Sequence, residues 1–331
     1  MMGSRAIAQH RSRNCRVPAL FVLGLVLLLV TACGADETTG ATATPEESGA
    51  ANPGDGAAAL VIGNVDASNP AQKIEEFQPL ADYLASNLEN LGIAEGTVRI
   101  ARDTDEMAEL VSAGEVDIYI DAAIPSLEVC EAVGCEFALR QWKGNTAELA
   151  GVFVVKKGSG IESLQDLKGK IMMLEQPHST VGHILPLVTL TQEGIAYREV
   201  ADQNAEVGPD EVGFFVSPGG QTSMNLLLNG EIDALAFGER SYKQFSQEVQ
   251  DQTEIIATTP GAPSQLVAFS PDLDPDVAAE VTRLMVALSE SEEGQAILVA
   301  LRETQKFEEM SDDVKTALDE LYETVKLAMQ E

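Results

Sequence analysis

Apolar positions along the chain fall into short runs and into longer stretches with a helical period, and the two kinds alternate. The run AALVIGNV ends in Gly63 and Asn64. IEEFQPLADYLASNLENLG then places Ile74, Phe77, Leu80, Tyr83, Leu84 and Leu88 on one stripe and closes on Gly92, which predicts a strand followed by an amphipathic helix. GTVRIARD and DEMAELVSAG repeat that order, EVDIYID adds a strand and IPSLEVCEAV a short helix. From ELAGVFVVKKG the alternation restarts. SLQDLKG, STVGHILPLVTLTQEG and GQTSMNLLLNG read as helices, and KIMML, GFFVSP and EIDALAFGE as the strands between and after them. SQLVAFSP predicts a late strand, and DPDVAAEVTRLMVALSES and SDDVKTALDELYETVKLAMQ predict amphipathic helices. This is an α/β pattern in two units, with a strand between them and a strand returning after the second. It predicts two lobes joined by a double crossover, with any ligand in the cleft where strand ends and helix starts converge.

The first thirty-odd residues do not join this alternation. Arg5, Arg11, Arg13 and Arg16 form a basic start, Ala19 to Val30 is apolar apart from Gly24, and VTAC closes the run with small residues. That order is a signal peptide's, and the apolar run is shorter than the ~20 residues of a membrane-spanning helix. VTAC resembles a bacterial lipobox, which implies that Cys33 becomes the lipidated first residue of the mature chain. From Gly34 to about Ala57 the text is small, polar and acidic, the composition of a disordered tether. The expected organisation is therefore a leader over 1–32, a tether over 33–57, the first part of lobe 1 over 58–147, lobe 2 over 148–257, and the return to lobe 1 with the C-terminal helices over 258–331.

The formal net charge is −32 at pH 7, and a leader with four arginines and no acid leaves the rest more acidic still. Such a surface excludes nucleic acid and anionic lipid as partners. It does not bear on a small ligand, because beyond a Debye length of about 8 Å surface charge is mostly screened. Of four cysteines, Cys15 lies in the leader and Cys33 is the lipidation candidate, leaving Cys130 and Cys135 in CEAVGC. In an oxidising compartment that pair reads as a small-loop disulfide, with two buried thiols as the alternative. Zinc is disfavoured because no second pair exists.

Candidate chemistry concentrates where apolar runs end. MMLEQPHSTVGHILP puts His178, Ser179, Thr180 and Val181 between a strand and a helix. The first amides of a helix lack intrahelical acceptors and carry partial positive charge, so hydroxyls there can cradle an anion without a lysine. Ser179 as a plain N-cap fits the same residues. GGQTSMN repeats the choice: Gly219 and Gly220 let a ligand approach the backbone, and Gln221 and Thr222 supply donors. Asp121 and Glu239 each follow an apolar strand at its cleft end, where they would accept from a ligand amine or sit solvated, and Asn64 ends the first strand. Tyr119 and the single tryptophan, Trp142, read as structural. His178 and His183 with Glu175 would be a metal set only if a helix boundary did not interrupt their spacing, and HExxH is absent, so neither metal nor cofactor is expected. A hydrolase built on Ser179 would need an oriented base and a GxSxG elbow, and neither is visible, so no catalytic residue is assigned.

AGVFVVKKGSGIESLQDLKGKIMMLEQPHSTVGHILP resembles the middle of the phosphate/phosphite/phosphonate-binding proteins of ABC importers, where a crossover strand, an SGI-SL-DLKGK turn and an STSG…P segment follow in that order. FQPLADYL and AGEVDI match the family's first lobe, LLLNGEIDA its second, and GAPSQLVAFSPDLDPDVAAEV its return strand, so the likeness runs from Leu60 to about Leu298. The resemblance implies a type II periplasmic-binding-protein fold and a monomeric extracytoplasmic receptor that is not an enzyme and delivers a small oxyanion to a membrane permease. It also implies that Ser179, Thr180 and the amides around them hold the anion. Val181 replaces the family's second serine and Gly182 is retained; Glu175 stands for its usual aspartate, Leu127 for a tyrosine and Gln221 for a histidine, while Asp121 adds a carboxylate. With these departures the expected ligand is a small oxyanion such as phosphonate, phosphite or phosphate. A zwitterionic or cationic metabolite, a metal, or a role presenting ligand to a membrane sensor remain as alternatives.

Overall fold

The computed structural model describes residues 58–302 and 304–329; the expected leader, Cys33 and the tether lie outside the described residues. The chain begins with β1 (Ala58–Val65), α1 (Pro70–Asn87), β2 (Ile93–Ala101), α2 (Thr104–Ser112), β3 (Ile118–Asp121), α3 (Ala123–Val133) and β4 (Glu136–Lys143). It crosses to a second lobe through β5 (Glu148–Lys156), β6 (Ile171–Leu174), α4 (Leu185–Gln192), β7 (Ala196–Glu199), β8 (Glu211–Val216) and α5 (Gly220–Asn229). That lobe continues with β9 (Ala234–Gly238), α6 (Glu239–Lys243), α7 (Gln247–Asp251) and β10 (Thr253–Pro263). The return to the first lobe brings β11 (Leu266–Phe269), α8 (Pro275–Ala287), α9 (Glu292–Ala300), β12 (Thr304–Glu309) and α10 (Asp312–Ala328). Among the described residues no helix is long and apolar enough to cross a membrane.

Each lobe is built on one six-stranded sheet, ordered β12-β4-β11-β3-β1-β2 in the first and β10-β5-β9-β6-β8-β7 in the second. The strands fed by helical crossovers pair in parallel, β1 with β2 and β3, and β6 with β8 and β9. Strands that carry the chain between lobes pair antiparallel. Both faces of the sheets are covered, which is why β5 reads as an unbroken apolar run: Phe153 and Val155 pack into one cluster and Val152 and Val154 into the other.

The second crossover comes later than the sequence predicts. β10 bulges between Thr258 and Gly261 and stays paired with β5 as far as Pro263 opposite Glu148. Being an edge strand, β10 tolerates a proline that cannot donate to the ladder. The return therefore falls between Pro263 and Leu266 rather than at 258.

The helix expected over STVGHILPLVTLTQEG starts irregularly. Thr180–Ile184 forms a π-helical turn, and α4 follows. Pro186 has no N–H to return to the Gly182 carbonyl, which instead accepts from the Glu175 amide at 2.9 Å and fastens the turn to the end of β6.

α10 lies across both lobes. Leu318, Val325 and Ala328 share one apolar cluster with Ile124 and Leu127 of α3 and with Leu185 and Val188 of α4. On the first lobe Glu131 accepts from Tyr322 Oη at 2.8 Å and pairs with Lys326 at 3.0 Å. Trp142 is structural: its Nε1 donates to Glu308 at 3.0 Å and Lys306 stacks on its ring. Cys130 and Cys135 are joined in a disulfide, with Cα atoms 4.7 Å apart, between the last turn of α3 and the start of β4.

Candidate ligand-binding site

A cavity of about 1090 Å³ lies between the lobes, and it opens where the sheets end. Asn64 and Val65 reach it from β1, Asp121 from β3, Glu175 from beyond β6 and Ser217 from beyond β8. These are the carboxyl ends of parallel strands, where crossover helices begin. Two of those helices present their first turns to the cavity with no side chain capping them: α1 after Asn69, and α5 after Gly219, whose φ of 142° no ordinary side chain favours. Of the helices starting elsewhere, α2 is capped by Asp103, α8 by Asp274 and α9 by Ser291, while α6 and α10 start without a side-chain cap. The amides at the start of α5 are thus left for whatever occupies the cleft, whereas α1 begins with Pro70, which has no N–H, behind Ser68 and Asn69 amides already taken by Asp66.

Acids organise the first-lobe wall. Asp121 is 3% exposed, and its carboxylate accepts from Val65 N at 2.9 Å, Ala122 N at 2.7 Å and Tyr119 Oη at 3.2 Å. Burial raises its pKa against those bonds. Asp66 works to raise its pKa by burial too, but the Ser68 hydroxyl and the Asn69 and Ser68 amides outweigh that and hold it low. His178 lies in the cavity wall, near enough to act on both carboxylates electrostatically. Two buried acceptors in the wall have no hydrogen-bond partner among the described residues: Oδ1 of Asn64, whose Nδ2 donates to Ile120 O at 2.7 Å, and Oε1 of Gln265. The second-lobe side is partly apolar, through Met173, Leu235, Phe237, Phe245 and Val249.

Of the residues singled out in the sequence, Asn64, Asp121, His178, Ser179 and Gln221 line the cavity. Ser179 is a cap: its Oγ accepts from Gly182 N at 3.1 Å and donates to Glu175 at 2.6 Å, so its proton is already placed. Thr180 turns away, because the π-turn rotates it onto the first lobe, where its hydroxyl accepts from Ile124 N at 3.0 Å and caps α3 across the lobes. Val181 packs in the apolar cluster beneath that contact, and Thr222 is exposed outside the cavity wall. Glu239 also lies outside it, since α6 begins at that residue and Lys243, four positions on, pairs with it at 2.7 Å. His183 is buried under the turn, its Nδ1 2.8 Å from the Glu175 carbonyl and its ring edge-on to Phe214; burial lowers its pKa. Among the described residues no three His, Cys, Asp or Glu side chains converge as a metal site would require. Sequence reading missed Asp66, Lys73, Gln265 and Arg302, all of which line the cavity.

Over residues 62–314 the chain matches the family of periplasmic substrate-binding proteins of phosphonate ABC transporters. The chain belongs to that family. Membership makes it the substrate-binding component of a transporter rather than an enzyme, acting outside the cytoplasm with a small-molecule ligand and a membrane permease as partners. Among solved structures, XAC2383 of Xanthomonas citri bound to chloride superimposes with a TM-score of 0.76 at 21% identity, covering 82% of this chain and 99% of that one. The same protein bound to ATP gives 0.75 at 20% identity, over 82% and 98%. PhnD1 of Prochlorococcus marinus in complex with methylphosphonate gives 0.61 at 15% identity, over 81% and 98%. At these identities the likeness shows the fold, which is that of type II periplasmic binding proteins.

Proposed function

We propose that this protein is a monomeric, lipid-anchored receptor that captures a small organophosphorus oxyanion, of the phosphonate, phosphite or phosphate class, and hands it to an ABC permease. The observation that carries the ligand class is the uncapped start of α5, opening into the interlobe cavity of a phosphonate-family chain. Oriented amides hold an oxyanion without a neutralising lysine, and a ligand that also touches the first-lobe wall favours the closed arrangement. The unpartnered acceptors of Asn64 and Gln265 add a preference for a ligand that also donates, such as a P–OH group or an ammonium.

The test is thermal. Among phosphite, phosphate, methylphosphonate and 2-aminoethylphosphonate, at least one stabilises the protein, by about 2.7 kcal/mol at a hundredfold over its dissociation constant. Gln221→Glu separates binding from folding because its two effects have opposite sign. A carboxylate in the first turn of α5 favours the helix by about 0.3–1 kcal/mol and repels an anion at the same amides. The ligand-free melting temperature should hold or rise while the ligand-induced shift disappears; a shift that survives the substitution refutes the assignment of α5.

The anchor reading rests on VTAC and on the acidic text after it. Palmitate labelling of cells is expected for the wild type and lost in Cys33→Ala, and labelling that persists in the variant removes the lipid from the proposal.

A further inference from the structure

In a chain of net charge −32, cations gather at one end of the cleft. Lys73 on α1 and Arg302, just beyond α9, both line the cavity. They share a single oxygen of Glu76, at 3.3 Å from Lys73 Nζ and 2.9 Å from Arg302 Nε, and the Glu76 side chain is only 5% exposed. Lys143, where β4 leaves for the second lobe, feels the same group: burial lowers its pKa to about 8, Glu76 opposes this, and Lys73, Arg302 and Arg240 add to it. Lys73 also acts on Asp121, so this end of the cleft carries both signs, with two cations paired to one carboxylate oxygen. An ammonium has three donors and a guanidinium five, so one shared carboxylate oxygen leaves donors of both side chains for a further acceptor. Arg302 is also the one non-glycine residue among the described residues with positive φ, at 52°. A side-chain-bearing residue held there departs from the backbone's preferred states, a departure that clusters at ligand clamps.

We propose that Lys73 and Arg302 form a second anion subsite, and that the ligand is an organophosphonate carrying a further acidic group, its two charged ends held by opposite lobes. This rests on the receptor reading above and narrows it. The second-lobe end takes one anionic group at the start of α5, the apolar wall of Leu235, Phe237 and Phe245 faces the connecting carbons, and the first-lobe end takes the other group at Lys73 and Arg302. A cavity of about 1090 Å³ has room for a ligand longer than phosphite or methylphosphonate.

Binding of matched ligand pairs tests this by calorimetry on the mature, full-length chain. 3-Phosphonopropionate should bind at least about tenfold more tightly than propylphosphonate, the increment of one charge-assisted hydrogen bond. Lys73→Gln combined with Arg302→Gln should erase that preference, so that the two phosphonates bind alike, while Arg302→Lys keeps most of it. Because Glu76 is buried, the double variant is also made with Glu76→Gln, so that no unpaired carboxylate is left to unfold it. Equal affinity for the two phosphonates in the wild type, or a preference that survives in the neutralised variant, overturns the subsite while leaving the receptor reading intact. Glutarate supplies the complementary arm: if it binds through Lys73 and Arg302 while neither phosphonate binds, the subsite holds and the organophosphorus reading fails. Silence from all three refutes both.

Discussion

Replacing Asp121 by alanine should cost about 3–5 kcal/mol, the largest loss expected from a single side chain at the cleft. Its carboxylate receives Val65 N and Ala122 N and the buried Tyr119 hydroxyl, so it joins the end of β1 to the start of α3. Bonds to a charged acceptor contribute about 1.5–3 kcal/mol each, and each donor left without a partner adds a desolvation cost; overlap between these terms and water entering from the cavity keeps the total below their sum. At about 2–4 °C per kcal/mol, the melting temperature falls by roughly 10 °C. The pH dependence runs opposite to that of an ion-paired acid. Burial raises the folded pKa of Asp121 above its unfolded value. Its ionised form is therefore penalised in the fold, and its contribution to stability grows as pH falls toward the folded pKa. The advantage of the wild type over Asp121→Asn should be larger near pH 4.5 than at pH 7, as read from urea midpoints. A gap that shrinks on acidification would mean that the carboxylate is held by charge and not by burial.

Gly151→Val should be nearly as damaging, for a reason confined to the backbone. A Cβ at this β5 position would overlap the carbonyl oxygen of Val181 in the π-turn and stand 3.1–3.2 Å from the Thr259 side chain. A side chain could rotate aside. The carbonyl cannot, so the turn bearing Ser179 must move off the sheet, and overpacking of this kind costs about 1–3 kcal/mol or more. The displaced turn also carries Thr180 away from Ile124 N, so destabilisation and loss of ligand affinity are expected together. Gly220→Ala is the control: its Cβ would meet only Phe245 Cζ, at 3.9 Å, and it should be close to neutral for stability. If the two variants melt alike, the contact between the turn and β5 does not set the shape of the cleft.

The strands and helices were legible because each lobe needs its own core, and that need writes itself into the local period, as in the unbroken VFVV of β5. The site was legible only in part. Gln221 and Ser179 stood out because a helix start has a local signature, yet which way Thr180 faces depends on a π-turn set by Pro186, and the periodicity of an ordinary helix misplaces it. Glu239 was assigned to the cleft when the sequence already held its partner, since Lys243 follows at helical spacing. Asp66, Lys73, Gln265 and Arg302 have no local signature at all. They lie on different elements of the chain and meet only after the return crossover closes the first lobe.

The placement of α10 limits what kind of motion the cleft can make. A helix packed into both lobes through Leu318, Val325 and Ala328 cannot follow a separation of the lobes by simple translation without exposing that cluster to water, at about 25 cal/mol for each Å² uncovered. Rotation about a line running beside α10 leaves the cluster nearly intact and moves the far rim most. The molecule is therefore built like a book whose spine is glued: the pages can part at the fore-edge while the spine keeps its registry through every cycle of loading and release.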